Sequence, residues 1–326
     1  MLRLLLALLI LATSPPARTG GQEVGTVTRL ASGWDSGDRY MGIRLLGSLV
    51  LSGDERLAEL SDLAWDRDEG ILYAVSDRGW LLHLRPQFDY QGRLSGMVLL
   101  RGMPLLDRKG RRLKKWQRDA EGMAATGADN GIRGDTRLLI SFEGRNQVDL
   151  YDPDGSFQGS VALPDALREP GLYRGRNKGL EALALHPRLG LLTGPELPVR
   201  DHSIPIIDQS GRRWRYRTFE PDGALVALET MPDGAVLVLE RAFTPPFSPW
   251  VITLSRIAPD EANAGTELPA RLLARFDSTE GWRVNNFEGL ARHRGNRYFM
   301  VSDDGGHPLL ETQLLYFEVL PERRSQ

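Results

Sequence analysis

Residues 59–79 read ELSDLAWDRDEGILYAVSDRG, and residues 285–306 read NNFEGLARHRGNRYFMVSDDGG. Each is a short apolar run centred on alanine, a polar turn holding glycine, and a second apolar run that closes on an acid. The same order returns in DAEGMAATGADNGIRGDTRLLISFEGR (119–145), NKGLEALALHPRLGLLTGPE (177–196) and DGALVALETMPDGAVLVLER (222–241). Two short apolar runs joined by a glycine turn describe a β-hairpin. The runs are too brief and too often interrupted by turn residues for helices. Ser61, Glu121 and Glu181 stand 60 residues apart, and later units follow at somewhat shorter spacing.

Further strand-like stretches lie between the hairpins. Residues 147–163 (QVDLYDPDGSFQGSVAL) hold two runs around a DPDG turn. Residues 212–219 (RRWRYRTF) alternate arginine with Trp214 and Tyr216, as a half-buried strand does. Four strands per unit make a propeller blade. Spread over the chain, the spacing gives five or six units. The expected fold is all-β, a single β-propeller with six blades of four antiparallel strands. A sandwich or a solenoid is the competing architecture, but neither requires one acid to recur in every unit.

The chain has 326 residues, of which 41% are hydrophobic, so one large domain can bury a substantial core. Residues 1–17 begin MLRLLLALLILAT and continue into a Pro-rich, small-residue stretch, the order of a secretory signal peptide. The apolar run is about half of the roughly 20 residues that a membrane span needs. The expected organisation is a signal peptide over 1–17, a lead-in segment over 18–41 and the propeller over 42–326. The expected location is periplasmic or secreted, with no membrane span after cleavage. A monomer is expected. The formal charge of −2 argues against nucleic-acid binding, and the absence of cysteine excludes disulfides and thiolate metal sites.

Acids recur at two places in the repeat. Glu121, Glu181 and Glu288 open the first run, while Asp77, Glu143, Glu196, Glu240 and Asp303 close the second or lie beside its end. The innermost strand of a blade faces the propeller axis, so equivalent positions form a ring. Gathered carboxylates repel one another unless a cation neutralises them. Ca²⁺, which takes six to eight oxygen ligands in loose geometry, suits such a ring. Asn286, just before Glu288, adds an amide oxygen. The basic residues Arg78, Arg145 and Arg241 follow the closing acids, and Lys178 precedes Glu181. With the loop residue His307, they are candidates to hold an anionic substrate. A third basic cluster, residues 108–115 (RKGRRLKK), reads as a hairpin tip. There is no G-x-S-x-G elbow, no H-E-x-x-H and no P-loop, which sets aside ordinary serine esterases, zinc proteases and nucleotide hydrolases.

These hairpins resemble the phytase-like family known as "esterase-like activity of phytase". The resemblance spans roughly Gly42 to Glu318. It implies a secreted β-propeller and a hydrolase of ester or phosphate-ester bonds. It also implies that Glu121, Glu181, Glu288, Asp77, Glu143 and Asp303 surround the central site. Ser61–Asp62 departs from the Glu-Gly expected in the first unit, and Ala224–Leu225 stands where Glu-Gly is expected in the fourth. The reading is a Ca²⁺-assisted hydrolase with Glu121, Glu181, Glu288 and Asp303 as the acid–base set and Asp77, Glu143, Glu196, Glu240 and Asn286 as metal ligands. Its substrate would be small and either an ester or an anion. A non-catalytic ligand- or partner-binding propeller with a structural ion, and a lactonase-like propeller acting on neutral cyclic esters, remain the alternatives.

Overall fold

The five hairpins read from the sequence are the inner two strands of five blades. In the computed structural model, which describes residues 20–143, 145–169, 171–173, 179–197, 202–243 and 249–322, each hairpin extends outward by antiparallel pairing into its own sheet. Blade 1 runs outward through Leu60–Asp66, Ile71–Ser76, Trp80–Phe88 and Leu94–Pro104. Blade 2 comprises Ala120–Thr126, Arg137–Phe142, Gln147–Tyr151 and Phe157–Ser160. Blade 3 comprises Leu180–His186, Gly190–Pro195, Ser203–Asp208 and Arg213–Arg217. Blade 4 comprises Gly223–Thr230, Val236–Ala242, Val251–Ile257 and Arg271–Asp277. Blade 5 starts with Asn286–Arg294, Arg297–Asp303 and Thr312–Val319, and its fourth strand is Ile43–Leu51.

The expectation of six blades is therefore corrected to five. The division of chain length by repeat spacing treated the N-terminal stretch as material for a further blade. Instead, Ile43–Leu51 pairs with Thr312–Val319 and completes the last blade. The lead-in segment reinforces this join. Gly25–Val27 pairs with Ile43–Leu51, while Gln22–Glu23 pairs with the outer strand of blade 1. The proposed signal peptide lies outside the described residues.

Inner strands lie between neighbouring blades and are covered on both faces, which explains why they read as continuous apolar runs rather than alternating ones. Ile71–Ser76 and Val236–Ala242 are buried over almost their full length. The outermost strand of blade 3 alternates as expected, with Trp214 and Tyr216 fully buried and Arg215 and Arg217 exposed. The core fills the wedges between blades. Phe276 of blade 4 belongs with Phe287 and Phe317 of blade 5, and Ala182 of blade 3 with Leu225 and Val238 of blade 4. Among the described residues, no helix is long and apolar enough to cross a membrane.

Candidate functional site

Every inner hairpin carries a register break near the start of its first strand. Leu60, Ala120, Leu180, Leu225 and Phe287 pair with Ser76, Phe142, Pro195, Glu240 and Ser302, and the register then shifts. The residues at the break are Ser61, Glu121, Glu181, Val226 and Glu288. A bulge turns its side chain out of the regular alternation, here at the same height in each blade. The residues after the partners form a second set: Asp77, Glu143, Glu196, Arg241 and Asp303. The Glu-Gly pairs follow from crowding. A Cβ on Gly122 would lie 2.6 Å from the carbonyl oxygen of Glu181. A Cβ on Gly289 would lie 2.7 Å from Cα of Asp62. Only glycine lets the neighbouring inner strand come so close.

This register corrects two assignments. The fourth-unit counterpart of the glutamates is Val226, not Ala224. The residue that closes the second run there is Arg241, not Glu240. Glu240 lies one position earlier and is fully buried in the wall, where it accepts hydrogen bonds from Tyr216 Oη (2.9 Å) and from the amides of Phe219 (3.0 Å) and Glu220 (2.9 Å). It does not join the ring, and burial pushes its carboxyl up to about 7.

Arg241 replaces an acid with a cation. Its Nη2 lies 2.5 Å from Glu196 of blade 3. Its Nη1 donates to Glu288 of blade 5 and to the amide oxygen of Asn286. Asn286 in turn donates to Glu288 at 2.8 Å and to Asp303 at 3.1 Å. Its oxygen is thus already engaged by the arginine. The chain supplies its own counter-ion to the acids of blades 3 and 5.

Among the described residues, Asp77, Asp119 and Glu121 form no ion pair. Asp77, Asp119 and Glu121 bring ligand oxygens within 4.8 Å of one another. Asp77 accepts from the hydroxyl of Ser61, and Asp119 is hydrogen-bonded with Glu143. Glu121 has no hydrogen bond or ion pair among the described residues. Burial pushes Glu121 well above the ordinary glutamate range, and Glu181, Asp77, Glu288 and Asp119 add repulsion. Burial likewise raises Asp77, with Glu288 as its strongest charged neighbour. Glu181 is raised by burial and by Glu196 and Glu288, against the pull of Arg241. Glu288 is raised to about 7 by burial, with Arg241 opposing the shift. Asp303 is raised mainly by burial.

The remaining candidates are placed apart from this cluster. Arg78 grips Glu59 through two hydrogen bonds of 2.8 and 2.9 Å. The guanidinium of Arg145 lies 4.5 Å over the ring of Phe142, donates to Gln117 O at 3.0 Å and reaches Asp149 at 3.7 Å. His307 is exposed in the loop after Asp303, with its Nδ1 facing the amide of Leu309. Lys178 lies outside the described residues. Asp119 was missed by the sequence reading. It stands two residues before the register break, as Glu59 and Asn286 do, and aligning hairpins on that break exposes the shared position. A cavity of about 510 Å³ occupies the opposite mouth of the axis, lined by Leu63, Met123, Leu183, Glu229 and Arg292, and contains none of these clustered carboxylates.

Comparison with solved structures returns matches of low similarity. U3-55K is 12% identical, with 84% of this chain and 98% of that chain covered at a TM-score of 0.42. Virginiamycin B lyase from Staphylococcus aureus is 10% identical, with 91% and 100% covered at 0.40. The PQQ-bound aldose sugar dehydrogenase from Streptomyces coelicolor is 14% identical, with 94% and 99% covered at 0.39. No curated protein matches the chain in sequence. The family model described as "Esterase-like activity of phytase" matches residues 55–306, the span that contains all five inner hairpins and their ring of acids, and the chain belongs to this Phytase-like family.

Proposed function

We propose that the protein is a cation-assisted hydrolase of an ester or phosphate-ester bond, working at the carboxylate mouth of the propeller. The observation behind this reading is the asymmetry of the ring: Arg241 neutralises the side of blades 3 and 5, while Asp77, Asp119 and Glu121 converge without a bonded cation among the described residues. Three close carboxylate oxygens, with Asp77 and Glu121 raised by burial and mutual repulsion, are a donor set for a hard divalent cation. Calcium is the proposed ion, with Asp77, Asp119 and Glu121 as its protein ligands. Such an ion polarises a substrate oxygen and lowers the pKa of bound water.

The chain's own residues supply the rest. Glu288, standing at about 7, holds or releases a proton at neutral pH, as a general acid or base requires. Arg241 and Asn286 fix the orientation of that carboxyl. Glu181 and Asp303 complete the acid–base set. Arg78 and Arg145 are committed to Glu59 and to Gln117 and Asp149. This favours a second substrate class within the same reading. With those guanidiniums engaged elsewhere, a neutral ester or lactone meets less repulsion from the ring than a phosphate ester.

The test is hydrolysis of phosphate monoesters, phytate, short acyl esters and lactones, in calcium and in excess chelator, with Glu121→Gln alongside. Calcium-dependent turnover that disappears in the folded variant supports the proposal and identifies the class. No turnover of any of these, by a protein whose melting temperature falls on chelation, would instead establish a binding propeller with a structural ion.

A further inference from the structure

Residues 105–118 cross from the outer strand of blade 1 to the inner strand of blade 2, on the carboxylate face. Arg108, Lys109, Arg112, Lys114 and Lys115 are exposed there, and Trp116 keeps 67% of its surface in solvent. The loop's one acid, Asp107, is bonded by Arg111 at 2.9 and 3.0 Å. The loop is well anchored. Leu113 is buried, Arg112 lies 4.4 Å over the ring of Trp80, and the amide of Leu105 donates to Gly79 O at 2.9 Å. Trp116 is therefore held out of the core on a built turn.

A second apolar tip shares this side of the mouth. Leu309 is 84% exposed in the loop that follows blade 5's second strand. Gly306 of that loop lies against the Glu59–Arg78 pair, and Gly79 lies against Arg118. Between the two tips of the rim lie the Glu59–Arg78 pair and Arg118, while Glu181, Glu196 and Asp303 are recessed and buried.

We infer that this rim docks the protein onto an anionic phospholipid surface, with Trp116 among the headgroups and the lysines on the lipid phosphates. A cationic loop alone suits any polyanion. An indole presented bare on a lysine-flanked turn adds the amphipathic group that a lipid interface rewards, and basic residues near an anionic surface add attraction. The inference is independent of the proposed catalysis.

The test is sedimentation of the purified protein with vesicles of phosphatidylglycerol and phosphatidylcholine in equal parts, against phosphatidylcholine alone. Trp116→Ala and Lys114→Ala/Lys115→Ala are run alongside, with melting temperatures to confirm the fold. Retention is expected only on the anionic vesicles, weakened about fivefold per lysine removed and weakened again by Trp116→Ala. No retention on either vesicle overturns the inference. So does undiminished retention of Trp116→Ala accompanied by tight binding of inorganic polyphosphate, which would make the loop a site for soluble polyanions.

Discussion

Arg241 sets the character of the central site. Its guanidinium joins carboxylates from the two blades that flank its own, and its side chain is only 17% exposed. Removing one partner of a buried ion cluster strands the others, at a cost of about 3–5 kcal/mol. Arg241→Met is expected to destabilise the protein by that order at neutral pH, read from urea unfolding. The loss should shrink in acid, where Glu288 protonates, and Glu288→Gln added to Arg241→Met should restore part of it. The wild-type protein carries its own pH signature. Glu288, Glu240 and Glu229 stand at about 7 in the fold, against an ordinary glutamate value of about 4.3. Between those values the folded state binds more protons than the unfolded chain, so stability declines as pH rises. Their contribution is most favourable below the unfolded value, falls as pH rises through about 7, and is level above that. Urea midpoints at acidic and mildly alkaline pH measure this, and Glu288→Gln should flatten the slope. A midpoint that rises across the same interval would contradict the burial of these acids.

At the level of the strand, Asp62 shows how one side chain ties blades together. It stands where the second and fifth blades have glycine. Its oxygens accept from the amides of Leu63 (2.8 Å), Met123 (2.6 Å) and Leu290 (2.9 Å), joining blade 1 to blades 2 and 5. Each buried amide left without an acceptor costs about 1–3 kcal/mol. Asp62→Ala is expected to lose at least 3 kcal/mol of stability on that basis, measured by denaturant unfolding, and to speed amide exchange at Met123 and Leu290 above other inner-strand positions. Much of this element was legible in the sequence. Paired apolar runs, glycine turns and recurrent Glu-Gly marked the inner hairpins and put Glu121, Glu181, Glu288, Asp77 and Asp303 at one mouth. The register within the hairpin was not legible. Ala-Leu-Val-Ala in the fourth unit offers no polar residue by which to find the break, so Glu240 was aligned where Arg241 belongs. The arginines after Asp77 and Glu143 looked available because linear spacing does not reveal that Glu59, at the start of the same hairpin, and Asp149, beyond its own, face them.

For the molecule as a whole, blade number follows from how the ring is closed, and repeat spacing does not encode closure. The described strand that completes blade 5 comes from the other end of the chain, and eight residue pairs from Thr312–Leu51 to Val319–Ile43 hold it there. Without it, Thr312–Val319 becomes an open edge in the middle of a packed sheet, and Leu314, Leu315 and Phe317 lose the cover that keeps them buried. Burial of each such side chain contributes about 1.5–3 kcal/mol, so losing the strand removes a large share of the 5–15 kcal/mol that holds a typical domain together. The attachment itself is noncovalent, and its position in the chain should not matter. A permuted chain that begins at Gly53 and carries residues 22–51 after Glu322 on a flexible linker is expected to fold cooperatively, with the same near-ultraviolet circular dichroism as the parent. The chain that begins at Gly53 without the transplanted segment is expected to lose that signal and its sharp melting transition. A cooperative melt in the shortened chain would mean that blade 5 is stable with three strands and that the ring closes through its inner strands alone.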